Sequence, residues 1–179
     1  MARDSHRTHI RKEAIKFSAA HMTVFPDGTK EPLHGHDYQV SLTLELADAS
    51  LKNMVSFAAF KKSLAALCAK WDERVLLAAK CPFFKVRGRA RGEIEFTLCR
   101  KRYVVPADEA VMVSVENITT ELLSKELCLK FVKTLDRKLL TKNLRSVALR
   151  VDESDGQGSS YEWRNPAASG IVAPRSARR

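Results

Sequence analysis

Three histidines near the start of the chain, His21, His34 and His36, have the type and spacing to hold a divalent metal. His34-Gly35-His36 opens directly onto an alternating run, HDYQVSLTLEL, over residues 36–46. Residues two apart on a strand point the same way, so both imidazoles can reach one point. His21 ends an earlier alternating run, EAIKFSAAHM, over residues 13–22. If the two runs pair as antiparallel neighbours, His21 lies at the same end of the sheet as His34 and His36. Three histidine ligands leave a fourth position open for water or substrate, the form of a catalytic zinc site. The competing reading is plainer. An HxH pair by itself is a weak signal, and solitary histidines at strand ends are usually hydrogen-bonded surface groups. His6 and His9 offer a second pair, set in a polar segment.

Strand phase favours the metal. His21 shares parity with Ile15 and Phe17, and His36 with Tyr38, Val40 and Leu42. The imidazoles therefore continue the apolar face and end at its lip. Glu153 does the same, in phase with Val147, Leu149 and Val151. A carboxylate on an apolar face is costly unless it has a partner. A binding site supplies one.

The elements that must position these groups can be read from hydrophobic period. Residues 23–33 form a loop, with Pro26-Asp27-Gly28 as its turn signal. The period then becomes helical: Phe57, Phe60, Leu64, Leu67, Cys68 and Trp71 share a stripe, predicting a helix over 56–70. Residues 83–105 read as a hairpin turning near Gly88 to Gly92. A second helix is expected over 118–140, with Leu123, Leu127, Phe131 and Leu135 at i+4 steps and Asn117 as N-cap. Glu116 suits the positive end of that helix. Residues 144–153 form another strand, and 159–164 a short last one. The order β-β-α-β-β-α-β-(β) predicts an α+β layer, with two helices on one face of an antiparallel sheet. One domain covers 13–164, between a basic N-terminal tail, 1–12, and a mobile basic C-terminal tail, 165–179.

Composition narrows the function classes. No stretch approaches the ~18 apolar residues of a membrane span, and no apolar signal core opens the chain. Cys68, Cys81, Cys99 and Cys128 lie far apart with no CxxC pair, which reads as reduced thiols in a cytoplasmic setting. The net charge of +10 invites a nucleic-acid reading. The charge, however, sits mostly on the two tails and on residues 85–102, which hold seven basic and two acidic side chains. A solvated basic surface is the simpler account, with attraction of an anionic substrate next; nucleic acid is not the expected partner.

Phe17-Ser18-Ala19-Ala20-His21, followed by Leu33-His34-Gly35-His36-Asp37-Tyr38, resembles the 6-pyruvoyl-tetrahydropterin synthase and 6-carboxytetrahydropterin synthase family. That family carries F-x-A-x-H and then H-G-H-N-Y. Val115-Glu116-Asn117 resembles its V-E-N segment, and Val151-Asp152-Glu153-Ser154 its V-x-E-T segment. The order and spacing match over about residues 13–155. The resemblance implies a tunnelling (T-) fold built on a four-stranded antiparallel sheet. It implies trimers that stack into hexamers, with active sites between subunits. It makes His21, His34 and His36 the ligands of Zn2+ and Glu153 the anchor of a pterin ring, with Glu116 as a second substrate contact.

Two departures bear on the chemistry. The family's usual Cys before HGH is absent, and Glu31 stands in an E-x-L-H-G-H arrangement. This resembles a subgroup in which Glu replaces the Cys and dihydroneopterin is cleaved to 6-hydroxymethyl-dihydropterin. Trp71-Asp72-Glu73-Arg74 has Glu73 where the family has His beside Asp72. A thiolate and an imidazole act as one relay, so losing both together is coherent. Proton transfer then falls to Glu31, Asp72 and Glu73. The implied activity is a zinc-dependent lyase acting on the side chain of 7,8-dihydroneopterin or its triphosphate, in tetrahydropterin or folate-precursor biosynthesis. The alternatives are a non-catalytic pterin- or zinc-binding homologue and the 6-carboxytetrahydropterin synthase reaction of the queuosine pathway.

Overall fold

The computed structural model describes residues 5–54, 56–135 and 143–168. Nine strands and two α-helices follow in order among these residues: β1 (His6–His21), β2 (His34–Leu46), α1 (Phe57–Cys68), β3 (Arg74–Ala78), β4 (Phe84–Ala90), β5 (Glu93–Leu98), β6 (Lys101–Pro106), β7 (Ala110–Val113), α2 (Thr120–Thr134), β8 (Leu144–Ser154) and β9 (Gln157–Arg164). Residues 136–140 of the expected second helix lie outside the described residues.

The expected four-stranded antiparallel sheet is only one side of what forms. The main sheet has six strands in the order β7-β3-β1-β2-β8-β9, and β4-β5-β6 make a separate three-stranded sheet. The pairs β1–β3 and β3–β7 are parallel, so the main sheet is mixed. Both added strands, RVLLA (β3) and AVMV (β7, at the sheet edge), are short apolar runs without alternation. Parallel strands covered on both faces read this way, and period alone does not separate such runs from helix or loop.

β1 also starts earlier than expected. His6 to Arg11, placed in a tail by their polarity, pair with Leu46 back to Ser41 on β2. A register shift between Arg11 and Lys16 changes the phase of the strand. Ile10 and Ile15 are therefore both buried although they differ in parity. At the other end, Asn165 is 4% exposed and its Nδ2 donates to the Leu144 carbonyl at 2.8 Å. The expected C-terminal tail thus begins with a residue tied to β8.

Residues 83–105 form three strands rather than a two-stranded hairpin. The turns fall at Arg91-Gly92 and Cys99-Arg100, all four with positive φ, as two-residue hairpin turns require. Cys99 and Arg100 adopt this backbone without glycine or asparagine, so the second turn carried no sequence signal.

α1 packs on β1, α2 packs on β8 and β9, and the helices touch each other. The Phe60 and Phe131 rings meet across them at 6.3 Å. Phe17 stacks on Tyr38 at 4.8 Å and meets Trp71 edge-on at 5.3 Å, which locks the end of β1 nearest His21 onto β2. Fully buried rings of this kind each contribute about 3–5 kcal/mol relative to alanine.

Candidate metal centre and its cavity

His21 ends β1 and His34 begins β2, and the two residues are paired across the antiparallel ladder. His36 lies two residues on, opposite Ala19. The ring centroids are 4.5 Å apart for His21–His34, 5.4 Å for His21–His36 and 5.0 Å for His34–His36. One ligand nitrogen from each lies within 4.8 Å of the others. The glycine between the two β2 histidines suits this crowding. A Cβ at Gly35 would stand 3.0 Å from the Ala19 carbonyl oxygen.

His21 is 2% exposed, and neither of its ring nitrogens has a hydrogen-bond partner. A buried polar atom left unpaired costs roughly 1–3 kcal/mol, so the geometry fits a ligand that would satisfy it. Burial, reinforced by the neighbouring charges of His34 and His36, pushes the His21 imidazole down to about 4. It is therefore neutral near pH 7, the state that coordinates metal. His34 Nδ1 lies 2.9 Å from the Pro32 carbonyl oxygen. A carbonyl can only accept, so Nδ1 carries a proton, and in the neutral ring Nε2 is the nitrogen free to coordinate. The donor set of three imidazoles suits zinc with one open position.

The three rings line a cavity of about 380 Å³. Glu31 enters it from the loop between β1 and β2, with its Oε2 3.9 Å from His34 Nε2. Glu153 enters from β8 at a register shift between Asp152 and Ser154, which releases it from regular pairing. Gln157 donates from its Nε2 to Glu153 Oε1. The remaining wall is the start of α2, where Thr119, Thr120 and Glu121 line the cavity. Thr120 and Ser159 hydroxyls, 2.9 Å apart, tie this helix end to β9. The backbone N–H of Glu121 itself, followed by the Thr119 hydroxyl, holds its carboxyl below the usual range. Glu121 is thus an ionised group on the rim.

Other expected residues are placed elsewhere. Glu116 is exposed and does not line this cavity; Glu121, five residues on, does. Asn117 is not the N-cap, a place taken by Thr119. Instead Asn117 accepts from the Val24 N–H at 3.0 Å and donates to the Val24 carbonyl at 2.8 Å, pinning the chain just after His21. Asp72 and Glu73 lie outside the cavity. Asp72 Oδ1 accepts the Ser18 N–H at 2.8 Å, and the Glu73 N–H donates to the Ser18 carbonyl at 2.7 Å. Glu73 instead lines a neighbouring cavity of about 450 Å³ with Asp37, Arg74 and Glu109. His36 borders both cavities. The signal for Glu121 was present in the sequence: Thr119-Thr120-Glu121 is a helix start with a carboxylate in its first turn.

No helix among the described residues is long and apolar enough to cross a membrane. No curated protein is a significant sequence match. The solved 6-pyruvoyl tetrahydropterin synthase of Plasmodium vivax superposes with a TM-score of 0.82 at 20% identity, covering 90% of this chain and 99% of that one. The Plasmodium falciparum enzyme superposes equally well, with a TM-score of 0.82 at 20% identity over 89% of this chain and 98% of that one. The Caenorhabditis elegans 6-pyruvoyl tetrahydropterin synthase is more distant, with a TM-score of 0.54 at 14% identity over 91% and 99% of the two chains. Two further structures of the Plasmodium vivax protein have a glutamate, described as a catalytic residue, replaced by alanine or cysteine. At these identities the likeness shows the fold. The sequence model of 6-pyruvoyl tetrahydropterin synthase matches residues 9–164, and the chain belongs to that family.

Proposed function

We propose that this chain is a zinc-dependent lyase that cleaves the side chain of 7,8-dihydroneopterin. The carrying observation is the convergence of His21, His34 and His36 on the cavity that also receives Glu31 and Glu153. The catalytic glutamate of the Plasmodium vivax relative supports a glutamate in this role. Zinc held by the three imidazoles would supply a Lewis acid for a side-chain hydroxyl.

The chain's own residues do the rest. Glu153 accepts hydrogen bonds from the amidine-like N–H groups of the pterin ring, and Gln157 fixes the carboxylate for that purpose. Glu121 and Thr119 offer further polar contacts from the helix end. With the ring anchored, the first carbons of the side chain reach the histidine end of the cavity. Glu31 takes the proton of the side-chain hydroxyl. The C1′–C2′ bond breaks, a two-carbon aldehyde leaves, and its electron pair passes to the ring-bearing carbon. A proton returned there yields 6-hydroxymethyl-dihydropterin. With the triphosphate as substrate, proton removal would instead expel triphosphate.

Asp72 and Glu73 take part in this reading through assembly. β7 and β9 are edge strands of the main sheet in the single chain, and closing such edges between copies is what a trimer or hexamer achieves. The cavity of Glu73, which shares His36 with the histidine cavity, would then lie where a neighbouring copy can complete it.

Product analysis tests the proposal. The zinc-loaded protein is incubated with dihydroneopterin and, separately, with its triphosphate, and the pterins are separated by chromatography. Hydroxymethyl-dihydropterin is expected. Pyruvoyl-tetrahydropterin would assign the elimination, and a carboxyl pterin with acetaldehyde the queuosine-type reaction. No product from either substrate, with tight pterin binding, would make the chain a non-catalytic homologue.

A further inference from the structure

The loop that carries Glu31 is itself a small hairpin. The Glu31 N–H donates to the Thr23 carbonyl at 2.9 Å, and Val24 bridges to Lys30. Phe25 N–H donates to Thr29 O at 2.8 Å and Gly28 N–H to Phe25 O at 3.0 Å, which closes the tip. The base of this hairpin, Thr23 and Glu31, lines the histidine cavity. The rest of it rests on the three-stranded sheet. A Cβ at Gly28 would meet the Phe83 ring at 3.1 Å, and the Cys99 thiol lies 3.9 Å from the Thr29 carbonyl oxygen.

Lys30 makes the decisive link. Its Nζ donates to the Glu31 carbonyl oxygen at 2.9 Å. The same ammonium lies 5.2 Å from the centroid of the Tyr103 ring on β6. Tyr103 in turn stacks on Phe96 at 5.2 Å with an interplanar angle of 13°, and Phe96 is fully buried. A cation over an aromatic face is held by the ring quadrupole. A continuous series of contacts therefore runs from the core of the second sheet to the backbone of Glu31.

Building on the role given above to Glu31, we propose that Lys30 and Tyr103 are positioning residues for it. The Lys30 ammonium, seated on the Tyr103 ring, holds the Glu31 carbonyl and so sets where the carboxylate stands relative to His34. The second sheet is then a support for the catalytic loop, besides being a basic surface. A plain surface lysine would be solvated and would need neither partner. A misplacement of about 1 Å at a reacting group can cost up to about 100-fold in rate, so loosening this tether should register in turnover.

The test uses the zinc-loaded full chain with four variants, Lys30→Met, Lys30→Arg, Tyr103→Leu and Tyr103→Phe. Lys30→Met and Tyr103→Leu should lower kcat by roughly 10-fold to 100-fold, with KM and bound zinc unchanged. Lys30→Arg and Tyr103→Phe keep a cation and a ring face, and should restore most of the rate. Added to Glu31→Gln, Lys30→Met should cost nothing more, because it acts through Glu31. A readout independent of turnover is hydrogen exchange at the Glu31 amide, which should speed up in Lys30→Met. Unchanged exchange and full kcat in Lys30→Met, with Glu31→Gln inactive, would overturn the proposal while leaving Glu31 as the base. Equal losses in Lys30→Met and Lys30→Arg would also overturn it, since the ammonium would then act in its own right. Full activity in Glu31→Gln would remove the role of Glu31, and the exchange measurement would still decide whether Lys30 holds the loop. If Tyr103→Leu fails to fold, the Lys30 pair carries the decision.

Discussion

The Glu31 carboxylate lies 3.9 Å from Nε2 of His34, the ring nitrogen not engaged by the Pro32 carbonyl. A carboxylate at this distance can reach a proton on a group held beside that nitrogen. Glu31→Gln keeps the size of the side chain and removes its basicity. It should retain stoichiometric zinc and lose turnover by roughly 100-fold or more, the scale of general acid–base catalysis. Steady-state kinetics with parallel metal analysis checks this, and a fully active Glu31→Gln would place the base elsewhere.

The two unpartnered nitrogens of His21 predict that metal stabilises the folded chain. A ligand present at 100 times its Kd adds about 2.7 kcal/mol. For a chain of this size that raises Tm by roughly 5–10 °C. Stripping wild type with a chelator should lower Tm by this amount, and adding zinc should restore it. His21→Ala should show no zinc-dependent rise. Thermal denaturation of both proteins, with and without zinc, is the measurement; a zinc response that survives in His21→Ala would take that residue out of the centre.

The grouping of the three histidines was legible because strand parity is a local property. His21, His34 and His36 needed only one correct pairing, and the antiparallel ladder from Phe17–Tyr38 to His21–His34 provides it. Glu153 lines the same cavity, in phase with Val147, Leu149 and Val151, although the register shift that frees it from β9 carried no sequence signal. β3 and β7 were not legible, because RVLLA and AVMV lack a period and acquire strand geometry only from long-range parallel pairing. The Cys99-Arg100 turn was hidden because neither residue type marks a left-handed backbone. Glu121 escaped because its first-turn position reads equally well as a helix-dipole residue, and only the fold brings that helix end to the histidines.

Glu153 and Glu121 both line the histidine cavity, whereas Glu116 is exposed outside it. Charge-assisted hydrogen bonds are worth about 1.5–3 kcal/mol each. Glu153→Ala should therefore weaken pterin binding by roughly 10-fold to 150-fold. Glu121→Gln should have a smaller effect in the same direction, and Glu116→Gln none. Fluorescence titration with a non-reacting pterin measures all three. Binding that depends on Glu116 and not on Glu121 would reverse the assignment made from the structure.

Two buried thiols predict how stability changes in alkaline solution. Burial, helped by the nearby Asp72 charge, pushes the Cys68 thiol from 9.0 up to about 12. Burial likewise pushes Cys128 from 9.0 up to about 11, and its sulfur lies 3.5 Å from the Val147 carbonyl oxygen. In the unfolded chain both thiols ionise near their ordinary value; in the folded chain they stay neutral. Their contribution to stability is fully present below that value and is lost as pH rises through the folded-state values. Each thiol should lower the unfolding free energy by about 1.4 kcal/mol per pH unit above pH 9. Urea unfolding at pH 8, 9 and 10 should show this decline. A Cys68→Ala/Cys128→Ala protein should be less stable at pH 8, through the cavities created, yet flatter with pH. A double variant that declined as steeply as wild type between pH 9 and 10 would assign the alkaline loss to other groups.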